Sequence, residues 1–121
     1  MSTKKIAGTC YIKVDGAQLS VEGSMEFPLT ETNREARIGS TGVAGYSEID
    51  RVPFLRCQCT LTQDFPIKSL RDSDDMTVTA EFANGWTYTL QGAWLAGEID
   101  GNASDGNVTL EFNGSKGILE T

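Results

Sequence analysis

The stretch from Met76 to Gly97 constrains the fold more than any other part of the chain. Its first half alternates apolar and polar residues, which is the period of a β-strand with one buried face. The apolar positions are Met76, Val78, Ala80 and Phe82, followed after a break by Trp86, Tyr88 and Leu90. Asn84-Gly85 fills the break and is typical of a type I′ turn. The pattern predicts a β-hairpin that needs a partner, because a lone hairpin is marginally stable in water.

Two earlier segments alternate in the same way, and Asp15-Gly16 marks a turn between them. In residues 9–14, the alternation predicts that Cys10, Ile12 and Val14 face the interior. Residues 18–27 alternate as a single strand, with Leu19, Val21, Met25 and Phe27 inside and Glu22 and Glu26 outside. These segments predict a second hairpin.

The middle of the chain predicts one more strand and the only helix. Residues 54–62 alternate, and their inward positions are Leu55, Cys57, Cys59 and Leu61. Residues 66–72 begin with a proline, which suits the first turn of a helix. Ile67 and Leu70 are spaced so that both would dock on a sheet.

The last third of the chain alternates less regularly. Residues 92–97 either extend the second strand of the central hairpin or bend into another strand, and residues 98–107 predict a loop rich in Gly, Asn and Asp. Residues 108–112 predict a last strand, and residues 114–121 a tail. Together these segments predict a single domain over residues 1–121 that is mainly β, with six or seven antiparallel strands and one short flanking helix. This content predicts a sandwich or a closed barrel.

Residues 30–53 hold neither the strand period nor the helix period for long and contain three glycines. A stretch of this length without clear structure is unusual in a compact domain. One interpretation is an extended hairpin with a mobile tip, and the other is a segment that orders against a partner. We call residues 31–53 the arm.

Composition excludes several function classes. The chain has 121 residues, a net charge of −7 and no histidine. Stable binding to nucleic acid phosphates needs clustered Lys and Arg, and histidine is the commonest general base and metal ligand. No apolar run is long enough to span a bilayer, and the first residues lack a signal-peptide core. We therefore expect a soluble chain made in the cytoplasm, with no catalytic residues and no membrane partner.

Two local patterns resemble cofactor sites but favour simpler interpretations. Cys57 and Cys59 lie on a predicted core face, where a thiol behaves as a small hydrophobic group. The loop from Asp100 to Glu111 has the length of a calcium loop, but Asp105 stands where that pattern requires glycine. A hairpin connection is the favoured interpretation of this loop. We expect no metal and no cofactor.

Four segments together resemble the tail tube protein of Mu-like contractile-tailed bacteriophages, or a prophage copy of it. They are Lys5–Gly16 (KIAGTCYIKVDG), Gly42–Tyr46 (GVAGY), Ala80–Tyr88 (AEFANGWTY) and Ala93–Glu98 (AWLAGE). Their order and spacing match across nearly the whole chain. The resemblance implies a β-barrel or sandwich that forms hexameric rings. In such phages the rings stack into a hollow tube inside a contractile sheath, and the genome passes through the bore.

The resemblance gives the acidic composition a role. A bore lined by carboxylates repels DNA, so that a genome slides without specific binding. Repulsion extends only about 8 Å at physiological salt, so the lining groups must project into the bore. The candidates that face outward from predicted strands are Glu22 and Glu26, then Glu81 and Glu111. An orientation toward the sheath or a neighbouring subunit remains the alternative for all four.

The arm is the predicted contact between subunits and between rings. Its candidate contact residues are Arg34, Arg37, Ile38, Val43, Tyr46 and Ile49. An arm that orders on assembly predicts weak hydrogen-exchange protection over residues 31–50 in the monomer. Exposed strand edges and residues 114–121 would join the same interface. The implied partners are other copies of this chain, the tail sheath, the baseplate and the tape-measure protein, and the implied location is the virion, after assembly in the host cytoplasm.

A second hypothesis is a module that binds a carbohydrate or another ligand. Such a β-sandwich would use exposed aromatic side chains, chiefly Trp86, Trp94 and Tyr46. Trp86 shares its predicted face with Tyr88 and Leu90, which favours core packing. A tube protein self-associates without a ligand, whereas a binding module stays monomeric until its ligand arrives.

Overall fold

A barrel and a projecting hairpin make up the structure. The computed structural model describes residues 10–121, apart from the side chains of residues 10, 23 and 24. Thr9 and the inward side chain predicted for Cys10 therefore lie outside the described part. The described residues form eleven strands and one helix: β1 (Cys10–Val14), β2 (Ala17–Leu19), β3 (Val21–Glu26), β4 (Thr32–Gly39), β5 (Gly42–Asp50), β6 (Phe54–Thr60), α1 (Ile67–Asp72), β7 (Met76–Phe82), β8 (Thr87–Leu95), β9 (Gly101–Asn102), β10 (Asn107–Asn113) and β11 (Lys116–Glu120).

Nine of these strands form one antiparallel sheet that curls into a nearly closed barrel. Their order is β2-β1-β7-β8-β10-β6-β3, with β11 added to β8 and β9 added to β10. The fold class predicted from the sequence is confirmed. Two opposite walls result, one made of β3, β6 and β10 and the other of β1, β7, β8 and β11. Side chains alternate between the barrel interior and the outside along each strand, so the outer faces of the two walls point in opposite directions.

Every long barrel strand contributes side chains to one core. The fully buried large side chains include Ile12 from β1, Leu55 from β6, Leu90 from β8 and Phe112 from β10. Burying such a side chain contributes about 1.5–3 kcal/mol. The predicted core positions Cys57 and Cys59 are confirmed, since both are buried among these residues. Packing into this one core therefore accounts for the alternation of apolar and polar residues along the barrel strands.

The central hairpin is confirmed, but its turn is of a different type. β7 pairs with β8 in antiparallel register. Gly85 has φ 92° whereas Asn84 does not have positive φ, and the Gly85 amide donates to the Phe82 carbonyl over 3.0 Å. This is a type I turn closed by a left-handed glycine. The type I′ geometry lies instead at Asp15-Gly16, between β1 and β2, where φ is 49° and 87°.

The single strand predicted over residues 18–27 is wrong, because the chain divides into β2 and β3. β2 pairs with β1, whereas β3 leaves that edge and pairs with β6 on the other wall. The Thr60 amide donates to the Ser20 carbonyl over 2.9 Å and holds the junction between the two strands. Continuous alternation is compatible with this break because both strands keep their apolar side chains inside the same barrel.

The predicted tail at residues 114–121 is also wrong, because it contains β11. β10 ends beside the last residues of β8, and β11 continues along β8 in the same register. β10 and β11 therefore act together as one bent strand that runs from one wall of the barrel to the other. Residues 98–107, predicted as a loop, contain the two-residue strand β9, which pairs with β10; the favoured hairpin connection is confirmed.

Gly114 lies at the bend and leaves no room for a side chain. A Cβ atom built there would be 2.6 Å from Cγ of the buried Leu90 and 2.9 Å from the Gln91 carbonyl oxygen. We expect Gly114→Ala to lower the free energy of unfolding by about 1–3 kcal/mol, the usual cost of overpacking. Denaturation of the variant with urea measures this loss. The matched control is Gly39→Ala, whose Cβ would meet its nearest neighbour at an ordinary 3.6 Å; equal stability of both variants would contradict the prediction.

The predicted helix is present as α1, with only one of its two apolar residues docked. Leu70 is buried, but Ile67 is 37% exposed, so the prediction that both side chains dock on the sheet is wrong for Ile67. Six residues give less than two helical turns, which limits how much of the helix can face the barrel. In the described part of the chain, no helix has the length and apolar character needed to cross a membrane.

Candidate assembly surfaces

The outer face of β3, β6 and β10 is acidic, and we call it the polar wall. Its side chains follow from the register of the three strands: Glu22, Glu26, Arg56, Gln58, Thr60, Asn107, Thr109 and Glu111. Three carboxylates and one guanidinium give this described surface a formal charge of −2. Three of the four predicted bore residues therefore share one surface.

Arg56 lies in the middle of the polar wall and binds two of its carboxylates. Its Nη1 atom is 2.7 Å from Oε2 of Glu26, and its Nη2 atom is 2.8 Å from Oε1 of Glu111. The hydrogen bond with Glu111 raises the pKa of Arg56, so the guanidinium stays charged. Glu22 has a different partner, since its Oε2 atom accepts a 2.7 Å hydrogen bond from the Thr60 hydroxyl. Charge compensation by Arg56 was not predicted, because the sequence does not show which strands are neighbours.

The opposite outer face is electrically neutral and rich in threonine; we call it the threonine wall. It includes Thr77, Thr79, Thr87 and Thr89, with Lys13, Glu81, Lys116 and Glu120 as its charged residues. Glu81 lies here, with its Oε1 atom 3.9 Å from Nζ of Lys13. The four predicted bore carboxylates are thus divided between two walls that face away from each other.

The arm contains a two-stranded hairpin made of β4 and β5. The hairpin part of the first interpretation of residues 30–53 is confirmed, and the mobility of its tip stays a prediction. None of the described barrel strands pairs with this hairpin. Eight residues of β4 correspond to a projection of about 27 Å at roughly 3.4 Å per residue. The hairpin was hard to see in the sequence because nearly all of its side chains are exposed, so no buried apolar face marks the strand period.

The register divides the predicted contact residues between the two faces of the arm. A bulge between Arg37 and Ile38 sets the register of the tip. One face carries Arg34, Ala36, Ile38, Val43 and Tyr46, and we call it the apolar face of the arm. Arg37 and Ile49 lie on the other face, where Nε of Arg37 donates to the Ser47 hydroxyl over 3.2 Å.

The apolar face of the arm is strongly exposed toward its tip. Ile38 is 82% exposed and Val43 is 77% exposed. Nearer the barrel, the Arg34 guanidinium lies 4.9 Å from the centroid of the Tyr46 ring and its Nε atom is 2.9 Å from Oε1 of Glu48. The charged end of this face is therefore satisfied within the hairpin, whereas the aliphatic tip contacts only solvent in the described chain.

Arg51 braces the base of the arm. Its backbone amide donates to the Glu31 carbonyl over 3.0 Å, and its Nη1 atom donates to the Thr30 hydroxyl over 2.9 Å. The guanidinium also lies 5.9 Å from the ring centroid of Phe54, the first residue of β6. These contacts join the segment that enters the arm to the segment that leaves it. The arm therefore projects from the barrel between β3 and β6, at the polar wall.

A groove lies beside the arm base. It has a volume of about 480 Å³, and its walls come from residues 28–31, residues 50–53 and the segment 115–119. Tyr88 also lines the groove, and burial raises the pKa of its phenol. Leu29 is 66% exposed and Val52 is 58% exposed. The groove therefore has a mixed lining, with Glu31, Asp50, Arg51 and Lys116 beside its apolar residues, and two of its aliphatic side chains, Leu29 and Val52, are more than half exposed among the described residues.

We expect weak hydrogen-exchange protection over residues 31–50 in the monomer. Both faces of the arm are exposed, so its ladder opens without exposing a core, and such segments lie at the low end of local stability. Hydrogen–deuterium exchange followed by mass spectrometry measures this, with residues 76–90 of the central hairpin as the internal reference. Slow exchange in both segments would contradict the prediction.

These surfaces belong to a chain whose family is identified by sequence. The family model for the phage tail tube protein matches residues 3–118. The chain belongs to this family. It is a structural protein and not an enzyme, as the sequence predicted. No curated protein sequence matches it.

Solved structures similar to this chain include components of an extracellular contractile injection system. The anti-feeding prophage cap (the tube-terminating cap) aligns with a TM-score of 0.70 and 7% identity, covering 100% of this chain and 95% of that one. The sheath/tube terminator of an extracellular contractile injection system in the extended state aligns with a TM-score of 0.66 and 7% identity, covering 97% and 96%. Hcp1 from Flavobacterium johnsoniae aligns with a TM-score of 0.59 and 8% identity, covering 91% and 93%. At these identities the comparison shows a shared fold.

The aromatic residues of the ligand-binding hypothesis do not form one surface in the tail tube protein. Trp86 packs against the core beside the central turn, Trp94 is 39% exposed on β8, and Tyr46 lies on the arm beneath Arg34. Three separate elements hold them, so they make no common platform. Among residues 10–121, no group of three or more Cys, Asp or Glu side chains is arranged to hold a metal ion.

Proposed function

We propose that this tail tube protein forms hexameric rings that stack into a hollow tube, with the polar wall facing the bore. The observation that carries the proposal is the pairing of an acidic outer wall with a long arm that leaves from the same side of the barrel. Family membership supports the tube role. The neighbours support it too, because their descriptions name a tube-terminating cap and a sheath/tube terminator. We also propose that the tube is of the kind found in Mu-like contractile-tailed phages, or in a prophage copy of one.

The polar wall suits a bore better than the threonine wall does. Its described charges sum to −2, whereas Lys13, Glu81, Lys116 and Glu120 cancel on the threonine wall. Six subunits would place a formal charge of −12 around each ring, which repels a passing DNA backbone at close range. We therefore propose Glu22, Glu26 and Glu111 as bore residues. Glu81 then faces outward, toward the sheath or a neighbouring subunit.

The arm joins copies of the chain in this proposal. A head-to-tail contact closes into a ring when its rotation closes, and stacking leaves the tube open at its ends. Among the described strands, β2 and β11 each pair on one side only, so their other edges could form contacts between neighbours in this proposal. The tail sheath, the baseplate and the tape-measure protein are the further proposed partners. The tube would be made in the host cytoplasm and carried in the virion, where DNA passes through it during genome ejection.

Negative-stain electron microscopy of the purified protein across a concentration series tests the proposal, with sedimentation velocity run in parallel. We expect particles with sixfold rings and, at higher concentration, hollow rods. A sample that stays monomeric both alone and with baseplate and tape-measure proteins would contradict tube formation. Rings with a symmetry other than six would contradict the hexamer and leave the tube role intact.

A further inference from the structure

Two thiols lie side by side inside the barrel, on the inner face of β6. Cys57 and Cys59 are both buried and are not joined in a disulfide, and their Sγ atoms are 3.8 Å apart. Metal–thiolate bonds of about 2.3 Å place two sulfur atoms of one trigonal or tetrahedral site about 3.8–4.0 Å apart. The two thiols therefore already have the spacing that a shared metal ion requires.

A third sulfur atom belongs to the same face. Met25 of β3 pairs with Cys57, so the two side chains point to the same side of the sheet, and Met25 packs against the core. The sequence does not show this neighbour, because the pairing of β3 with β6 joins residues far apart in the chain. Thiolate and thioether ligands together select Cu(I) among the biological metals.

The number of ligands also favours Cu(I) over zinc. Structural zinc sites take four Cys or His ligands. The chain has no histidine, and among residues 10–121 no third Cys, Asp or Glu side chain joins the two thiols in a larger cluster. Two thiols and one thioether are therefore a set for a cation that accepts two or three soft ligands.

The strand geometry favours a reduced pair of thiols. Residues two apart on a strand have Cα atoms about 6.6 Å apart and parallel side chains, whereas a disulfide needs Cβ atoms about 3.5–4.5 Å apart. Cys57 and Cys59 thus cannot form a disulfide unless β6 bends. The hydrogen bond with Cys57 lowers the pKa of the Cys59 thiol, and this favours the thiolate form that binds metals.

The edge of the described sheet provides a path to the thiols. β3 is the last strand in the strand order, and its register with β6 shifts between Val21 and Met25. Val21 is opposite Cys59 and Met25 is opposite Cys57, so the irregular part of β3 covers the thiol pair. A bulged edge strand opens at a lower cost than a central strand, which would admit a small ion.

We propose that Cys57, Cys59 and Met25 form a binding site for one Cu(I) ion inside the barrel. Each Cu(I) that binds displaces one thiol proton, so the formal charge of the buried site does not change. This balance matters because an uncompensated charge in an apolar core is costly. The ion would connect β3 to β6 and stabilise the folded chain. The inference does not depend on tube formation, because the site lies inside the barrel and not on an assembly surface.

Copper transfer to the reduced protein tests the site. Cu(I) is supplied without oxygen as its coloured bicinchoninate complex, and the loss of colour measures transfer to the protein. We expect one Cu(I) per chain and the release of one proton. We also expect the unfolding temperature to rise by about 5 °C at saturating Cu(I). A wild-type protein that takes no Cu(I) from the chelator would overturn the proposal.

Matched variants assign the ligands. Cys57→Ala and Cys59→Ala each leave one thiol of the pair and should weaken Cu(I) binding by about a hundredfold or more. Cys10→Ala removes the remaining cysteine of the chain and should bind Cu(I) as the wild type does. Equal binding by the wild type and both variants of the pair, or loss of binding in Cys10→Ala, would contradict the assignment. Urea denaturation without copper identifies any variant that fails to fold.

Met25→Leu tests the third ligand with little change in side-chain volume. X-ray absorption at the copper edge counts the sulfur neighbours directly. We expect three in the wild type and two in Met25→Leu, with binding weakened about tenfold. Two sulfur neighbours in both proteins would exclude Met25 from the site, and nitrogen or oxygen neighbours in the wild type would place the ion elsewhere in the molecule.

Discussion

Replacing Phe112 by alanine is expected to lower the free energy of unfolding by about 3–5 kcal/mol, the usual range for a buried aromatic side chain. Phe112 is fully buried. It lies opposite Leu55 of β6 and Leu95 of β8, so its side chain packs where the two walls of the barrel meet. Domains of this size are stable by about 5–15 kcal/mol, and the variant would lose a large fraction of that. Urea denaturation followed by tryptophan fluorescence measures the loss.

A matched aromatic control is available on the outer face of the barrel. Tyr11 of β1 is 52% exposed, so Tyr11→Ala removes a ring of similar size without opening a cavity in the core. We expect its cost to be about 1 kcal/mol or less, as is usual for exposed positions. If both variants lost the same stability, the barrel core would not be organised around Phe112. The comparison therefore tests the packing and not merely the presence of an aromatic residue.

The sequence predicted those elements whose two faces meet different environments. The central hairpin and β10 each bury one face, so their apolar residues alternate and their inward side chains were assigned correctly. The arm exposes both faces, and its residues carry no such alternation. β11 was missed for another reason. One of its inward positions is Gly117, where the Tyr88 ring leaves no room for a Cβ atom. A five-residue strand with glycine at an inward position shows too few apolar residues for the alternation to be recognised.

The candidate site was predictable in part, for the same physical reason. Alternation places Glu22, Glu26 and Glu111 outside the barrel, and the structure agrees. It does not reveal that β3, β6 and β10 are neighbours, because strand order depends on contacts between residues far apart in the chain. Arg56 was therefore missed, although it alternates outward between Leu55 and Cys57. Glu81 was grouped with the others because alternation cannot distinguish the two walls.

Neutralising the polar wall is expected to convert a tube that excludes DNA into one that retains it. The variant carries Glu22→Gln, Glu26→Gln and Glu111→Gln, which keep side-chain size and the hydrogen bonds to Thr60 and Arg56. The described charge of the wall changes from −2 to +1 per subunit, because Arg56 remains. For a hexamer this is a change from −12 to +6 per ring. Cationic surfaces bind the phosphate backbone with an affinity that falls steeply with salt.

A fluorescent duplex of about 30 base pairs serves as the probe, added before the subunits are assembled. We expect at least tenfold more DNA to be retained by the variant than by the wild type at low salt. Because DNA in the bore is enclosed, the retained duplex should resist nuclease. Raising the ionic strength should release it, which distinguishes electrostatic retention from trapping.

The matched control changes the same charge on the other side of the barrel. It carries Glu81→Gln and Glu120→Gln on the threonine wall and Asp74→Asn in the segment between α1 and β7. If the polar wall lines the bore, this control should bind DNA only on the outside of the tube, where nuclease digests it. If DNA were protected in the control and not in the variant, the threonine wall would line the bore, and the proposed orientation of the subunits would be wrong. Because the two variants share one net charge, any difference in protection reports which wall faces the axis.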